Sequence, residues 1–324
     1  MEMSHHKADH SGSTTPLGQP GERIVKLLGQ PHLADYLRFF ASRVIDGETI
    51  PPKVLAAEWR KANDRYYALL TEQAGVAETI EDLPLPAELE GPAAELMAQD
   101  HYLQAYDSVL TEIRWVELAK LVVSQGSVGL DHSDVLRNTL GDDRNIIELF
   151  DFCLPRTHQP APVSMLRLPA DRYIFSSQST DLRFHEIQRM TAAQAQSIAS
   201  FGLVTTGLML PVGYGANLLS GIGSDKRIVL QNGYHRAYSL LAHGITHAPM
   251  VVERVSCLDE LNLVGSDDVT DDPAHYFRSP RPPLLKDFLD PELTRQVTVY
   301  PLETRVEIEV KVRTSTGPAP RRVE

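Results

Sequence analysis

Five consecutive residues, Asn232-Gly233-Tyr234-His235-Arg236, carry the strongest chemical signal in the chain. A glycine, an imidazole and a guanidinium fall together where a strand passes into a helix. Gly233 permits positive φ and close backbone approach, Arg236 can make a bidentate charge-assisted contact, and His235 can donate to a phosphate oxygen or shuttle a proton. The first N–H groups of a helix have no partner within it and carry the positive end of its dipole. This combination predicts a seat for an anion, phosphate above all. Two blander roles stand beside it: His235 can cap local backbone, and Arg236 can pair with one of the chain's many carboxylates.

The flanking sequence must position these residues. Ile228 to Leu230 reads as a buried strand, Gln231 to His235 as a polar turn, Arg236 to His243 as a short helix stopped by Gly244, and Met250 to Val252 as a second strand. Upstream, Leu208 to Leu230 reads as a strand, a turn at Gly223-Ser224-Asp225 and a return strand. Gly213, Gly215, Gly221 and Gly223 lack a following G-K-[ST] and form no G-x-G-x-x-G, so they predict bends and bulges. Ile113 to Val123 reads as a strand ahead of the polar loop Ser124 to Leu130. Asp131 or Ser133 then caps a helix through Val135, Leu136 and Leu140. Gln125 and His132, in the loop after the first strand, could reach the same pocket, with a surface position as the blander role, whereas His243 and His247 suit a helix end or the surface.

The run Asn232-Gly-Tyr-His-Arg236 through Leu241, His243-Gly244 and Ala248-Pro-Met-Val-Val252 resembles the signature of the ParB/sulfiredoxin superfamily. In that superfamily a D-G-x-H-R type turn opens a helix that ends at L-G and is followed by an I-P-V-x-V strand. Val116 to Leu121 resembles the opening strand, and Gly207-Leu-Met-Leu-Pro-Val212 the G-x-x-x-P-V strand. The resemblance covers about 113–256, with an insertion at about 141–190. It implies nucleotide phosphates held by Gly233, His235 and Arg236, with Asn232 at the usual Asp position and Gln125 nearby. It also implies a nucleoside triphosphate, CTP or ATP, with Mg²⁺ as cofactor. In members that act as small-molecule kinases an acidic residue near the first loop serves as base, which points to Glu117 or Asp131, with His235 as the second catalytic candidate. Tyr234 stands where sulfiredoxins carry their catalytic cysteine and cannot form a thiosulfinate, so that activity is disfavoured.

The rest of the chain sets the frame. The 324 residues carry a formal charge of −12, which offers no general attraction to nucleic acid. Cys153 and Cys257 form no CxxC pair or zinc spacing, no metal motif is expected, and neither a signal-peptide pattern nor a membrane-span length of apolar residues is visible. A cytoplasmic protein follows from this reading. Residues 1–20 read as a disordered tail, 21–110 as a helical region, 111–256 as the ParB/sulfiredoxin-like domain, 257–313 as a C-terminal extension ending in a β-strand, and 314–324 as a tail.

The expectation is an α+β protein that binds a nucleotide and acts as a phosphotransferase or NTP hydrolase. The second reading is a non-catalytic nucleotide-sensing module whose helical N-terminal region meets a protein partner. The third, a DNA-binding or nuclease protein, has the charge against it.

Overall fold

Glu22–Leu27 is a strand, β1, and not the first turns of a helix. Ile24, Leu27 and Leu28 fit helical spacing, but Ile24 and Val25 form a β-branched pair, and long-range partners on both sides decide the outcome. The structure, a computed structural model, describes residues 21–30, 32–140, 145–157, 161–198 and 202–317. The tail expected at 1–20 lies outside the described residues, as do 318–324.

Beyond β1 the N-terminal region is helical, as expected. Helix α1 (Leu33–Arg43) buries Tyr36 and Phe40, and α2 (Pro52–Glu72) starts with proline at its first position, where a missing N–H costs nothing. A short strand β2 (Asp82–Leu83) precedes α3 (Glu90–Met97) and α4 (Asp100–Ala105). Strands β3 (Leu110–Glu117), β4 (Val122–Val123) and β5 (Ser127–Gly129) lead into α5 (Leu130–Leu140). The stretch from Ile146, ambiguous between strand and helix, is α6 (Ile146–Cys153). A reciprocal cap explains the choice: Asn145 accepts the Glu148 N–H, and the Glu148 carboxylate reaches back to the Asn145 N–H.

Within the stretch expected as an insertion, β6 (Ser164–Leu168) and β7 (Arg172–Ser177) form a hairpin. Strands β8 (Leu182–Phe184) and β9 (Gln188–Arg189) precede α7 (Ala192–Gln196), which is capped by Thr191. Then β10 (Leu208–Met209) and β11 (Val212–Tyr214) pair back onto β9 and β8. The predicted hairpin is β12 (Ser220–Ser224) and β13 (Arg227–Asn232), turning at Asp225 with φ 51°. Helix α8 (Tyr234–Ala242) follows, then Gly244 at φ 77°, then β14 (His247–Arg254).

A six-stranded mixed sheet in the order β2-β3-β14-β12-β13-β4 organises the centre. Strand β12 is parallel to β14 and β13 is parallel to β4, while the other pairs are antiparallel. Residues from Ala248 to Val252 are buried, the continuous apolar run expected of an interior strand. Phe150 from α6, Ala237 and Leu240 from α8, and Leu230 and Val252 from the sheet share the main core with Leu219.

The C-terminal extension continues through α9 (Leu258–Val264), α10 (Asp267–Asp271) and α11 (Pro273–Phe277) to β15 (Thr294–Val299) and β16 (Thr304–Glu309). It is no appendage. Strand β15 pairs with β1 in the sheet β15-β1-β5, and β16 adds an edge to β7-β6. The buried Arg281–Asp287 ion pair also reaches Gln73 at the end of α2. Sheet pairing therefore crosses the boundaries expected at 110 and 257, and the chain is α+β with an early and a late strand side by side.

Candidate functional site

The turn at the end of β13 has the backbone its sequence predicts. Gly233 sits at φ 89° as the N-cap of α8, and a Cβ added there would lie 2.7 Å from Leu219 Cδ1. Asn232 Oδ1 accepts the Gly233 N–H at 2.7 Å, and its Nδ2 donates to Ala216 O at 2.9 Å. No side chain caps α8, and the N–H groups of Tyr234, His235 and Arg236 find no acceptor among the described residues. An uncapped first turn of a nine-residue helix is the anion-seeking geometry that the sequence implies.

The side chains of the turn behave differently from one another. Arg236 is buried, and burial pushes its pKa down. Its guanidinium donates to Cys153 O at 2.9 Å and to Asn217 Oδ1, so its strongest donors are already committed inside the protein. The imidazole of His235 lies edge-on to that of His132, with ring centroids 4.9 Å apart, and its Nε2 abuts Gly129. Burial first, then the neighbouring His132 and Arg236, lower its pKa to about 4. At neutral pH it is an uncharged donor and acceptor rather than a cation. His132, from the first turn of α5, is thus brought to His235 as the sequence suggested.

Tyr234 points the other way, under the loop after β4. Its hydroxyl accepts the backbone N–H groups of Ser124 at 3.0 Å and Gln125 at 3.2 Å, and donates to Leu230 O at 2.7 Å. The Gln125 side chain folds back onto Ser127 O at 2.5 Å and is exposed.

Glu117 is not brought to the turn. It pairs with His247 across β3 and β14, accepts the Glu81 N–H at 3.1 Å and meets Lys120 at 3.0 Å. Asn232 instead pairs with Ser220, which in turn lies beside Val251. Three strand steps separate β13 from β3, roughly 14 Å at about 4.8 Å each, before the offset along the strands is added. Alternation places Glu117 on a strand but says nothing of which strands will come between. Asp131, the other carboxylate expected near the first loop, is held by Arg23 of β1 at 2.7 Å.

What the turn does border is a cleft of about 840 Å³. Asn232, Asn217, Ser220, Tyr106, Gln231 and Glu253 line it, with Asp181 and Arg183 paired at its rim. Glu253, on β14, is only 5% exposed, and its carboxylate accepts no hydrogen bond and makes no ion pair among the described residues. Burial alone raises its pKa to about 7. Tyr102 and Tyr106 stand near it, their rings 5.0 Å apart; burial foremost raises both phenols, Tyr102 to about 12. Among the described residues no group of histidines, cysteines and carboxylates is arranged to hold a metal ion, and no helix is long and apolar enough to cross a membrane.

Comparison with protein-family models, with curated proteins and with solved structures finds no match for this chain.

Sequence reasoning missed Glu253 and Tyr106 as residues of the site. For Glu253 a signal was present: it is a charged residue directly continuing the run Met250-Val-Val252. A carboxylate at the end of an apolar interior strand is distinctive, because buried carboxylates are rare without partners. Tyr106 is indistinguishable from a core aromatic by spacing alone.

Proposed function

We propose that this chain is a nucleotide-binding protein that holds phosphate at the first turn of α8 and the remainder of the ligand in the adjoining cleft. The observation that carries the reading is the uncapped start of α8 behind Gly233, beside a cleft lined by Asn232 and Asn217. The cleft volume falls within the usual range for small-molecule sites, about 300–1,000 Å³. The resemblance of Asn232 to Arg236 to the ParB/sulfiredoxin turn supports the same ligand class, CTP or ATP with Mg²⁺. In this reading Arg236 shapes the turn by tying α8 to Cys153 and Asn217, and His235 contributes a neutral N–H.

Glu117 takes no part, so a phosphotransferase or hydrolase built on this turn would need another base. The test is a titration of the full chain with CTP, ATP and ADP, with and without Mg²⁺, following thermal shift and phosphate release, alongside Asn232→Ala. Saturable stabilisation weakened in the variant is the expected result. Failure of every nucleotide to bind would defeat the proposal, and binding without phosphate release would leave a sensor rather than an enzyme.

A further inference from the structure

Two polar atoms around the cleft, Gln231 Oε1 and the Tyr102 hydroxyl, are buried without a partner among the described residues, and the Glu253 carboxylate, on a residue that is itself buried, faces the cleft with none. Glu253 has no hydrogen-bond or ionic partner among the described residues although it is 5% exposed. Gln231 Oε1 is buried and unpaired, while the Nε2 of the same amide is spent on Val264 O. The Tyr102 hydroxyl is likewise buried and unpaired. Glu253 and Gln231 both line the cleft, and the Tyr102 phenol is close enough to Glu253 to feel its charge.

An unpaired buried carbonyl or hydroxyl forfeits its hydration without compensation, and a buried carboxylate forfeits more. Native proteins leave few such groups, and those they leave call for a reason. All three can accept, and none receives a donor. The arginines beside the cleft do not supply one: Arg183 is paired with Asp181, Arg236 with Cys153 O and Asn217, and Arg254, the next residue along β14, with Asp82 and Glu112. Tyr106 and Tyr102 add aromatic surface near the carboxylate, which favours a cation further.

We infer that the cleft contains a seat for a primary ammonium group, held by the Glu253 carboxylate with Gln231 Oε1 as a further acceptor and tyrosine rings as walls. The ligand class is a small organic primary amine, or an amine-bearing part of a larger ligand. An ammonium offers three donors, matching a set of unfilled acceptors, and its charge compensates a carboxylate that no cation among the described residues is paired with. The seat goes beyond the phosphate reading of α8 and does not depend on it, since it rests on β14 and β13 side chains and not on the helix N-terminus.

The test is a saturation-transfer NMR titration of the full chain at pH 8 with butylammonium chloride. Tetramethylammonium chloride, which is charged but has no N–H, and 1-butanol, which has no charge, serve as comparisons. Saturable binding of butylammonium alone is expected, weakened roughly ten-fold or more in Glu253→Gln, the loss of one charge-assisted hydrogen bond. Glu253→Asp keeps the charge one methylene back; should the Gln variant not fold, weakened but retained binding by Asp is the expected result. Absence of saturable binding by the wild type, equal binding of tetramethylammonium, or an undiminished Glu253→Gln variant would each overturn the inference. Nucleotide binding can fail while butylammonium binds, or the reverse, so the two proposals stand or fall separately.

Discussion

The hydroxyl of Tyr234 closes the backbone of Ser124: it accepts that residue's N–H at 3.0 Å while donating to Leu230 O at 2.7 Å. One phenol therefore joins β13, the loop after β4 and the start of α8. Tyr234→Phe should leave the N–H groups of Ser124 and Gln125 and the Leu230 carbonyl short of partners. Chemical denaturation is expected to show a loss of about 1–3 kcal/mol, and hydrogen exchange at Ser124 and Gln125 should accelerate.

Arg236 makes a second structural link whose removal would be mistaken for loss of ligand binding. Arg236→Ala frees Cys153 O and Asn217 Oδ1 in the interior. The expected cost is about 2–4 kcal/mol, from unpaired buried acceptors together with a large-to-small cavity, seen as a lower thermal midpoint with no ligand present. Asn217→Ala should cost less, because the guanidinium keeps Cys153 O.

Glu253 and His235 give opposite pH signatures. The Glu253 pKa is raised in the fold from 4.5 to about 7, so the stability tied to its protonated form is complete below about 4.5 and is lost as pH rises through about 7. His235 is depressed from 6.5 to about 4, so its contribution is complete above about 6.5 and is lost as pH falls through about 4. At about 1.4 kcal/mol per pKa unit, Glu253→Gln should exceed the wild type in stability by up to about 3 kcal/mol at pH 8. The difference should vanish near pH 4. Urea titrations across that range check it, and an unchanged difference between pH 4 and 8 would contradict the assignment.

Gly233 and Gly244 bracket α8 and separate two kinds of glycine requirement. Both have positive φ, 89° and 77°, but a Cβ at Gly233 meets Leu219 at 2.7 Å whereas at Gly244 it meets nothing within 4 Å. Gly244→Ala should cost about 1 kcal/mol, the left-handed backbone penalty alone. Gly233→Ala should cost more, since Leu219 is fully buried and must move. Paired denaturation curves of the two variants provide the comparison.

Local elements with strong local signals were legible. The turn at Asp225 and its return strand, the turn at Gly233, α8 and its glycine stop, and a β-strand late in the C-terminal extension lie where sequence pattern places them, whereas the strand expected from Leu208 is divided into β10, β11 and β12. Each depends on contacts between near neighbours, such as turn residues, caps and a period of two or 3.6. Strand β1 was not legible, because Ile24, Leu27 and Leu28 satisfy a helical period as well and the deciding partners, Thr294–Val299 and Ser127–Gly129, are far along the chain.

The site divides along the same line. By itself the sequence determined the turn: a glycine able to take positive φ, followed by the start of a helix, is set by backbone sterics that act over a few residues. Only the tertiary structure decided what surrounds it. Sheet order put Glu117 three strands away and placed Glu253 in the cleft; packing turned Arg236 inward and put Tyr234 under the loop of Ser124 and Gln125. Strand order and burial are global properties, and the pKa of a carboxylate such as Glu253 follows from the solvent it loses rather than from its neighbours in sequence.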